Sequence, residues 1–580
     1  MNSEPVSAYN NKDKIWRIKD DAPNATWLAR KLGVSNLTAS LLLNRNVTAL
    51  DSARSFLSPR LGDLRDPFLL RDMDRAVEII SAFIQKREKI TVYGDYDVDG
   101  ITATSLLVDF LLKLGVPTSF YIPDRLKEGY SLNNEAVEKI AKTGTSLLIT
   151  VDCGISSFKE IAMAKKLGME VVVTDHHKVP PDFNAICPAI NPARPDSLFP
   201  FRELAGVGLS LYLAIAIRSN LRDAGFFKGM YEPDLSLYLD LVAIGTIADV
   251  VPVLEENRIF IKKGLDVLRK GQRPGVRALL RVAGIKGDRD LTVNDVAFKI
   301  APRINAAGRL GSASSAVHLF LTSDESKACA IAERMDYLNT QRQGIQNKIV
   351  SESRDRIEKI DDLEERRAIV LYDASWHRGV VGIVASRITE EYNRPAFILS
   401  AEGDLLRGSG RSIDGFDLYG ALFQLGDILQ QFGGHSHAAG VSLKQRDIRE
   451  FCERFEGIAR SEIDLDDMVP KIYADAKISP ESINPQMVRE IEDLLPFGQD
   501  NPQPIFWAGP FNVLFSKVVA KNHLKLRLKA QGFIFDCIAF RMAEYHPLEG
   551  KSVDALFHVE INKWKGMEAV QLVIVDLHFV

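Results

Sequence analysis

The sequence lacks the features of several protein classes. It contains only five cysteines, none in a C-x-x-C pair, which argues against structural zinc sites and favours a reducing compartment. No apolar run reaches the roughly 18 residues that a membrane span needs, and the best candidate, residues 205–217, is expected to be a buried helix. The polar N-terminus does not resemble a secretory signal. We therefore expect a cytoplasmic protein without membrane association.

Three catalytic motifs are also missing. There is no G-x-x-x-x-G-K-[ST] segment, so we expect no nucleotide-driven motor. Gly206-Val-Gly208 lacks the third glycine of a dinucleotide fingerprint, and no H-E-x-x-H pair marks a zinc protease. The net charge of −4 does not by itself indicate nucleic-acid binding, so basic patches must be sought locally.

Three aspartates follow a short apolar run. Residues 90–93 predict a buried strand, and Asp95, Asp97 and Asp99 come next on alternate positions. Carboxylates this close raise one another's pKa unless a cation neutralises them. A calcium loop of the EF-hand type would need a Glu at its twelfth position, where Leu106 stands. The pattern therefore indicates either another divalent metal site or a solvated acidic turn.

Strands and helices alternate from about residue 72 to residue 174, which predicts a parallel α/β sheet. The carboxyl ends of parallel strands lie along one edge, so the polar groups that follow each strand are expected to form one metal site. Asp249, in an apolar helical stretch, needs a partner when buried, either the same metal or an arginine. The groups after the other strands are Arg125, Asp152, His176 and His177.

The motifs GDYDVDGITAT, YIPDR, VDCGIS, TDHH and GTIADVVP resemble the DHH phosphoesterase superfamily. With the later APRINAAGRLG, WHRGVVGIVASR and GGHSHAAG, the whole chain is similar to the RecJ family of single-strand-specific 5′→3′ exonucleases. The resemblance implies release of 5′-mononucleotides in DNA recombination and repair. It also implies two Mn²⁺ or Mg²⁺ ions, ligated by Asp97, Asp99, Asp152, His176 and Asp249, with Asp95 as a further participant and His177 at phosphate or metal.

Two such ions, ~4 Å apart and bridged by Asp152, would bind the scissile phosphate, activate water and stabilise the leaving oxygen. Many smaller members of the superfamily have a histidine where this chain has Thr91. The metal nearest that position is therefore expected to be ligated differently here.

A basic segment lies in the middle of the chain. It ends in Arg303, Asn305 and Arg309, which stand among small residues that would let a phosphodiester backbone approach closely. The alternative is a turn whose arginines pair with acids. Helix-forming sequence over residues 323–360 then predicts a polar connector of ~55 Å between two lobes.

The second lobe carries glycine-rich segments. Arg378 precedes a predicted helix, and the loop over residues 433–440 contains His435 and His437. No carboxylate or cysteine accompanies these histidines, so backbone contact with nucleic acid is favoured over metal binding. The resemblance also implies a pocket for the 5′-terminal phosphate, which we place at Arg125, Ser409 and Arg411.

The last ~110 residues change to short strands, which fit a small β-barrel. The resemblance implies an OB-fold there. Lys525, Arg527 and Lys529 alternate with leucines, so they share one face and suit a single-strand groove. The alternative is a solvated barrel face.

We predict an α/β protein of five parts. They are an N-terminal helical arm (1–70), a DHH catalytic domain (71–322), a connector helix (323–360), a DHH-associated substrate-binding domain (361–465) and an OB-fold nucleic-acid-binding domain (466–580).

Two functions other than that of an exonuclease remain open: a DHH phosphodiesterase for short oligonucleotides or cyclic dinucleotides, and a non-catalytic DNA-binding scaffold. We expect a monomer that acts on single-stranded DNA alongside a helicase and a single-strand-binding protein.

Overall fold

The computed structural model describes residues 14–19, 23–287, 289–360, 362–564 and 567–580. Two α/β lobes and a C-terminal β-barrel are joined in chain order, as the sequence predicts. Among the described residues, no helix combines the length and apolar character that a membrane span needs.

The first lobe is built on a five-stranded parallel sheet with the order β3-β2-β4-β5-β6. The strands are almost continuous apolar runs because helices cover both faces. Between β2 and β4 the chain changes direction across the sheet, which creates a crevice at their carboxyl ends. The elements are α4 (Met73–Lys86), β2 (Ile90–Tyr93), α5 (Val98–Lys113), β3 (Thr118–Tyr121), α6 (Asn134–Lys142), β4 (Leu147–Val151), α7 (Phe158–Lys166), β5 (Glu170–Thr174) and β6 (Ala189–Ile190).

Helices complete this lobe and lead away from it. The connector is one helix of 33 residues, capped at its start by Asp324, whose carboxylate accepts the N–H groups of Ser326 and Lys327. At ~1.5 Å per residue it is about 50 Å long. The helices are α8 (Gly206–Asp223), α9 (Leu239–Ala248), α10 (Glu255–Lys270), α11 (Pro274–Val282), α12 (Val293–Asp295), α13 (Ala301–Leu310), α14 (Ser314–Leu321) and the connector α15 (Glu325–Ile357).

The second lobe has a mixed sheet with the order β10-β11-β9-β8-β7. The glycine-rich segment 433–440, predicted as a loop, is part of a hairpin in which Gly433 pairs with Gly440. That part of the prediction is wrong because small residues there let the strands pair closely. The elements are β7 (Ile369–Asp373), α16 (Val381–Tyr392), β8 (Ala396–Glu402), β9 (Leu405–Arg411), α17 (Leu418–Gln424), β10 (Leu429–Gly434), β11 (Ala438–Lys444) and α18 (Ile448–Glu462).

The C-terminal strands form a closed barrel, because β14 pairs with both β15 and β17. The predicted alternation on β15 is confirmed: its lysines and arginine are exposed and its leucines are buried. The elements are β12 (Lys471–Ala474), β13 (Ala476–Lys477), α19 (Pro485–Glu492), β14 (Phe506–Val519), β15 (His523–Ala530), β16 (Phe533–Ala539), β17 (Ser552–Trp564) and β18 (Met567–Phe579).

The N-terminal segment packs on the barrel. Its helices share one hydrophobic core with the barrel strands, and its strand pairs in parallel with β12. The buried Arg45 secures this contact, because it donates to the side chain of Asn501 and to the carbonyl of Pro502. The elements are β1 (Ile15–Ile18), α1 (Ala25–Leu32), α2 (Asn36–Leu43) and α3 (Leu50–Leu57).

Candidate metal centre and nucleic-acid interface

The predicted acidic residues meet at the carboxyl ends of β2 and β4. Asp99 lies in the first turn of α5, and Asp152 directly follows β4. Asp152 adopts a left-handed backbone conformation, with φ of 61°, which is uncommon for a residue other than glycine. Such strain is typical of functional sites, and here it turns the carboxylate into the crevice.

Asp99 is bound by the start of α8, the predicted buried helix whose Gly206-Val-Gly208 segment lacks the third glycine of a dinucleotide fingerprint. The backbone N–H groups of Gly206 and Val207, at the start of α8, donate to its carboxylate over 2.6 and 2.9 Å. A side chain at Gly206 would collide with this arrangement, since a Cβ there would lie 2.8 Å from Cβ of Asp152. The N-terminus of α8 at Gly206-Val-Gly208 therefore binds an anion, and this anion is a carboxylate of the protein itself.

His176 completes a compact group of possible metal ligands. Its Nε2 atom lies 3.1 Å from Oδ1 of Asp152, 3.5 Å from Oδ2 of Asp249 and 3.9 Å from Oδ2 of Asp99. Nε2 of His176 and Oδ1 of Asp152 are buried and form no hydrogen bond with any described residue. Buried polar atoms without partners are rare in proteins, and their convergence is the geometry expected around a cation.

The first two aspartates of the motif also line the crevice. Asp97 caps α5 by accepting the N–H of Gly100, and it borders a cavity of about 290 Å³ that Asp95 shares. One carboxylate oxygen of Asp95 is buried without a partner among the described residues. Thr91 lies further back on β2, where its hydroxyl bonds with those of Ser119 and Thr145.

His177 is fixed by two residues that the sequence did not single out as site residues. Its Nδ1 atom lies 2.7 Å from Oδ1 of Asp175 and 3.0 Å from the hydroxyl of Tyr130. The buried Asp175 also accepts the N–H of Ile155, so it is held in place from a second side. Asp175 precedes two histidines, a signal that could have assigned it a positioning role. Tyr130 lies 47 residues from His177 in sequence and left no comparable signal.

The carboxylates of the crevice repel one another. Burial and nearby Asp97 raise the pKa of Asp99 to about 7, and burial and Asp99 raise the pKa of Asp152 and Asp249. Burial would lower the pKa of His177, but its hydrogen bond to Asp175 raises it to about 9. Burial and neighbouring His177 lower the pKa of His176 to about 4, so this ring is a neutral electron-pair donor. The donor set of carboxylates and one neutral imidazole fits Mn²⁺ or Mg²⁺.

Comparison with known proteins identifies the family of this chain. Three domain profiles match the chain: the DHH family N-terminal domain over residues 89–246, the DHHA1 domain over 365–461 and the RecJ OB domain over 474–576. The single-stranded-DNA-specific exonuclease RecJ of Escherichia coli K12 is 36% identical over 87% of this chain and 90% of its own length. The chain belongs to the RecJ family. The same-named exonuclease of Bacillus subtilis is 37% identical over 97% of this chain and 70% of its own length.

A solved member of the RecJ family has the same fold. The structure of Thermus thermophilus RecJ with Mn²⁺ superposes with a TM-score of 0.82 at 31% identity, covering 97% of this chain and 79% of the other. A second structure of that protein contains Mg²⁺ and gives a TM-score of 0.76. Both solved structures of this relative therefore contain a divalent metal ion.

The sequence predicts a pocket for the terminal phosphate at Arg125, Ser409 and Arg411, and a cavity of about 800 Å³ between the lobes is lined by the first two of these residues. Arg125 and Arg378 line it from opposite lobes, together with Ser409 on β9. Arg125 stacks on the ring of Tyr96, with 4.8 Å between guanidinium carbon and ring centroid. Arg411 lies close to Ser409, because both side chains approach the same glycine of α16. A Cβ added at Gly382 would lie 3.3 Å from Oγ of Ser409 and 3.4 Å from a guanidinium nitrogen of Arg411.

The basic segment before the connector divides into two roles. Asn305 and Arg309 line the cavity of about 290 Å³ that Asp95 and Asp97 border, which we call the metal-site cavity. Arg309 has a buried Nε without a partner among the described residues. Burial and Arg125 lower the pKa of Arg309 to about 9. Arg303, by contrast, donates to Asp336 and to the carbonyls of Lys299 and Val282. The expected contact of Arg303 with substrate is therefore not supported, because its guanidinium already donates to groups of the protein itself.

The remaining predicted contacts lie on the surface. His435 and His437 are exposed at the turn between β10 and β11, outside both groups of possible metal ligands found among the described residues. On the barrel, Lys525 and Lys529 are exposed beside Arg527, which pairs with Asp536 over 3.1 Å. One of the three basic groups in this stripe is therefore partly neutralised.

Proposed function

We infer that the chain is a metal-dependent exonuclease specific for single-stranded DNA, hydrolysing phosphodiester bonds. The buried, unpartnered atoms of His176 and Asp152, facing each other at the sheet's switch point, carry this conclusion. The cavity that Asp99 and Asp249 line also contains Arg125 and Arg309, which suit a polyanionic substrate. Membership in a family whose curated relatives are exonucleases supplies the reaction class.

We propose that Asp97, Asp99, Asp152, His176 and Asp249 hold two divalent ions, with Asp95 supporting them. Such ions supply Lewis-acid activation of the scissile phosphate and of the attacking water. The hydrogen bond with Asp175 favours the protonated form of His177, in which Nε2–H would be available to a phosphate oxygen. Asp175 and Tyr130 act through His177 by fixing the orientation of its ring.

The 5′→3′ polarity follows from a terminal phosphate held between the lobes. We propose that Arg125, Arg378, Ser409 and Arg411 bind this phosphate and so place the first phosphodiester at the metal site, which releases 5′-mononucleotides. Support comes from the position of Tyr96 and Arg125, which border both the inter-lobe cavity and the metal-site cavity. A 5′ end bound there lies directly beside the metal ligands.

The barrel and its cellular context extend the proposal. Lys525, Arg527 and Lys529 would bind the strand further from the cut, and His435 and His437 would contact its backbone. We propose a cytoplasmic monomer that works in DNA recombination and repair with a helicase and a single-strand-binding protein.

One assay tests the function. Single strands labelled at the 5′ or the 3′ end are incubated with Mg²⁺ or Mn²⁺, beside the same sequence as blunt duplex. The proposal expects labelled mononucleotide at once from the 5′-labelled strand and progressively shortened 3′-labelled strand. The duplex should resist.

Two outcomes would contradict the proposal. Cleavage confined to dinucleotides or cyclic dinucleotides would favour a small-substrate phosphodiesterase. Binding of single strands without metal-dependent release of nucleotides would favour a scaffold.

A further inference from the structure

A second groove opens from the metal-site cavity, on the side of α13. It has a volume of about 490 Å³ and is bordered by α13, the connector α15 and α16. Asn305 and Arg309 line both this groove and the metal-site cavity, so the two spaces are adjacent. The inter-lobe cavity is bordered by neither residue. A strand whose end occupies the inter-lobe cavity would therefore leave the metal site through this groove.

The groove suits the backbone of a nucleic acid. Arg309, Arg342 and Arg387 come from three different helices. Arg342 donates to the side-chain oxygens of Gln346 and Asn339, which leaves its positive charge without neutralisation by these partners. The groove also presents the amides of Gln343 and Asn347. The connector helix thus contributes a binding surface in addition to spanning the two lobes.

One large aromatic residue stands at the outer end of this groove. Phe298 lines it and is 75% exposed, although a phenylalanine gains by burial. Phe298, Pro302, Asn305 and Arg309 follow one another at helical spacing along the wall of the groove. From Phe298 to Arg309 the wall extends about 16 Å at ~1.5 Å per residue. The aromatic ring is therefore well removed from the metal site.

The exposure of Phe298 has a local cause in the sequence. Pro302 lacks an N–H and its ring would collide with the carbonyl of Phe298, four residues earlier, in a regular α-helix. The chain avoids this by forming a π-helical turn over Val296–Ile300, in which the N–H of Ala301 donates to the carbonyl of Val296. π-Helical turns inside helices are frequent at functional sites. Here the turn presents Phe298 at the mouth of the groove.

We propose that Phe298 stacks on an unpaired base of the undigested strand and thereby sets how close to a duplex junction digestion proceeds. The inference rests on the proposed function. Every base has a π-face, so one phenylalanine can hold any sequence as long as the base is unpaired. A base pair at that position would keep its own stacking partners, so the strand would advance no further.

The test uses Phe298→Ala and Phe298→Trp in the full-length protein. Phe298→Ala should raise KM for a long 5′-phosphorylated single strand by about 5- to 150-fold, the range for loss of one base–aromatic stack. Phe298→Trp should retain KM. On a hairpin with a 5′ single-stranded tail, Phe298→Ala should stop at a different distance from the duplex than wild type. With a trinucleotide substrate, kcat should stay within about twofold, because this substrate ends before the groove mouth.

Phe423→Ala is the matched control, because the ring of Phe423 is similarly exposed, at 71%, but does not line the groove. It should change neither KM nor the stopping point. The inference falls if Phe298→Ala matches wild type on both long substrates, or if it lowers trinucleotide turnover as strongly as long-strand turnover. A wild-type protein without metal-dependent hydrolysis would instead overturn the proposed function itself.

Discussion

Oδ1 of Asp152 lies 3.1 Å from Nε2 of His176, and neither atom has a hydrogen-bond partner among the described residues. Asp152 follows β4 and His176 follows β5, two neighbouring parallel strands. The sheet therefore brings together two donor atoms that fit a divalent cation and are unfavourably placed without one.

The first prediction concerns Asp152→Asn, which keeps a residue type that tolerates a left-handed backbone. It should abolish hydrolysis, because a carboxylate central to the metal ligands is lost. Without metal it should raise the melting temperature by ~2–4 °C, since about 1 kcal/mol of repulsion with Asp99 and Asp249 is removed. Calorimetry in chelator and in Mn²⁺ measures both effects. Wild type should be stabilised more by Mn²⁺ than the variant, and an equal shift would remove Asp152 from the metal site.

Gly206→Ala tests the support of Asp99. The added Cβ would lie 2.8 Å from Cβ of Asp152 and 3.0 Å from Oδ2 of Asp99, so one of these carboxylates must shift. We expect at least ~100-fold loss of kcat, since small displacements at a reacting centre have effects of this size. Gly457→Ala, where the added Cβ would meet nothing within 4 Å, serves as the control. Full activity of Gly206→Ala would show that the α8 start does not control the site.

The terminal phosphate pocket is tested by Arg411→Ala. Burial lowers the pKa of this guanidinium, and nearby Arg125 adds like-charge repulsion, so a bound phosphate would relieve both. We expect the preference for 5′-phosphorylated over 5′-hydroxyl strands to fall by ~10-fold, the effect of about 1.4 kcal/mol. The measurement is the ratio of kcat/KM for the two ends. The exposed Arg446→Ala should keep the wild-type ratio, and an unchanged ratio in Arg411→Ala would remove that residue from the pocket.

The barrel stripe is tested by changing Lys525, Arg527 and Lys529 to Gln together. KM for long strands should rise, and the dependence of log KM on log salt should become shallower by ~1–2, since each phosphate contact on a single strand contributes about 0.7. Trinucleotide turnover should not change. Gln at the exposed Lys159, Lys165 and Lys166 of α7 provides a control of equal charge. A salt dependence equal to wild type would favour a solvated face with no contact to DNA.

Local pattern was sufficient to predict the strands and helices and to nominate most residues of the candidate metal centre. Residues 90–93 were predicted as a strand and form β2, and the connector predicted over 323–360 is α15. Arg303 could not be assigned in this way, because its partner Asp336 lies on another helix. That Phe298 borders a groove depends on how α13 packs against α15 and α16, which no local pattern reports.

The order of residues alone places carboxylates and histidines after successive buried strands, and therefore at one edge of a parallel sheet. The pattern is sufficient because the residue after a strand always lies at the carboxyl end of that strand, and parallel strands have their carboxyl ends at the same edge of the sheet. The strand order, which places Asp99 and Asp152 beside the switch point, is visible only in the folded protein. The same is true of the packing of α8, whose N–H groups at Gly206 and Val207 donate to Asp99. These contacts join residues more than 100 positions apart, and only packing brings such residues together.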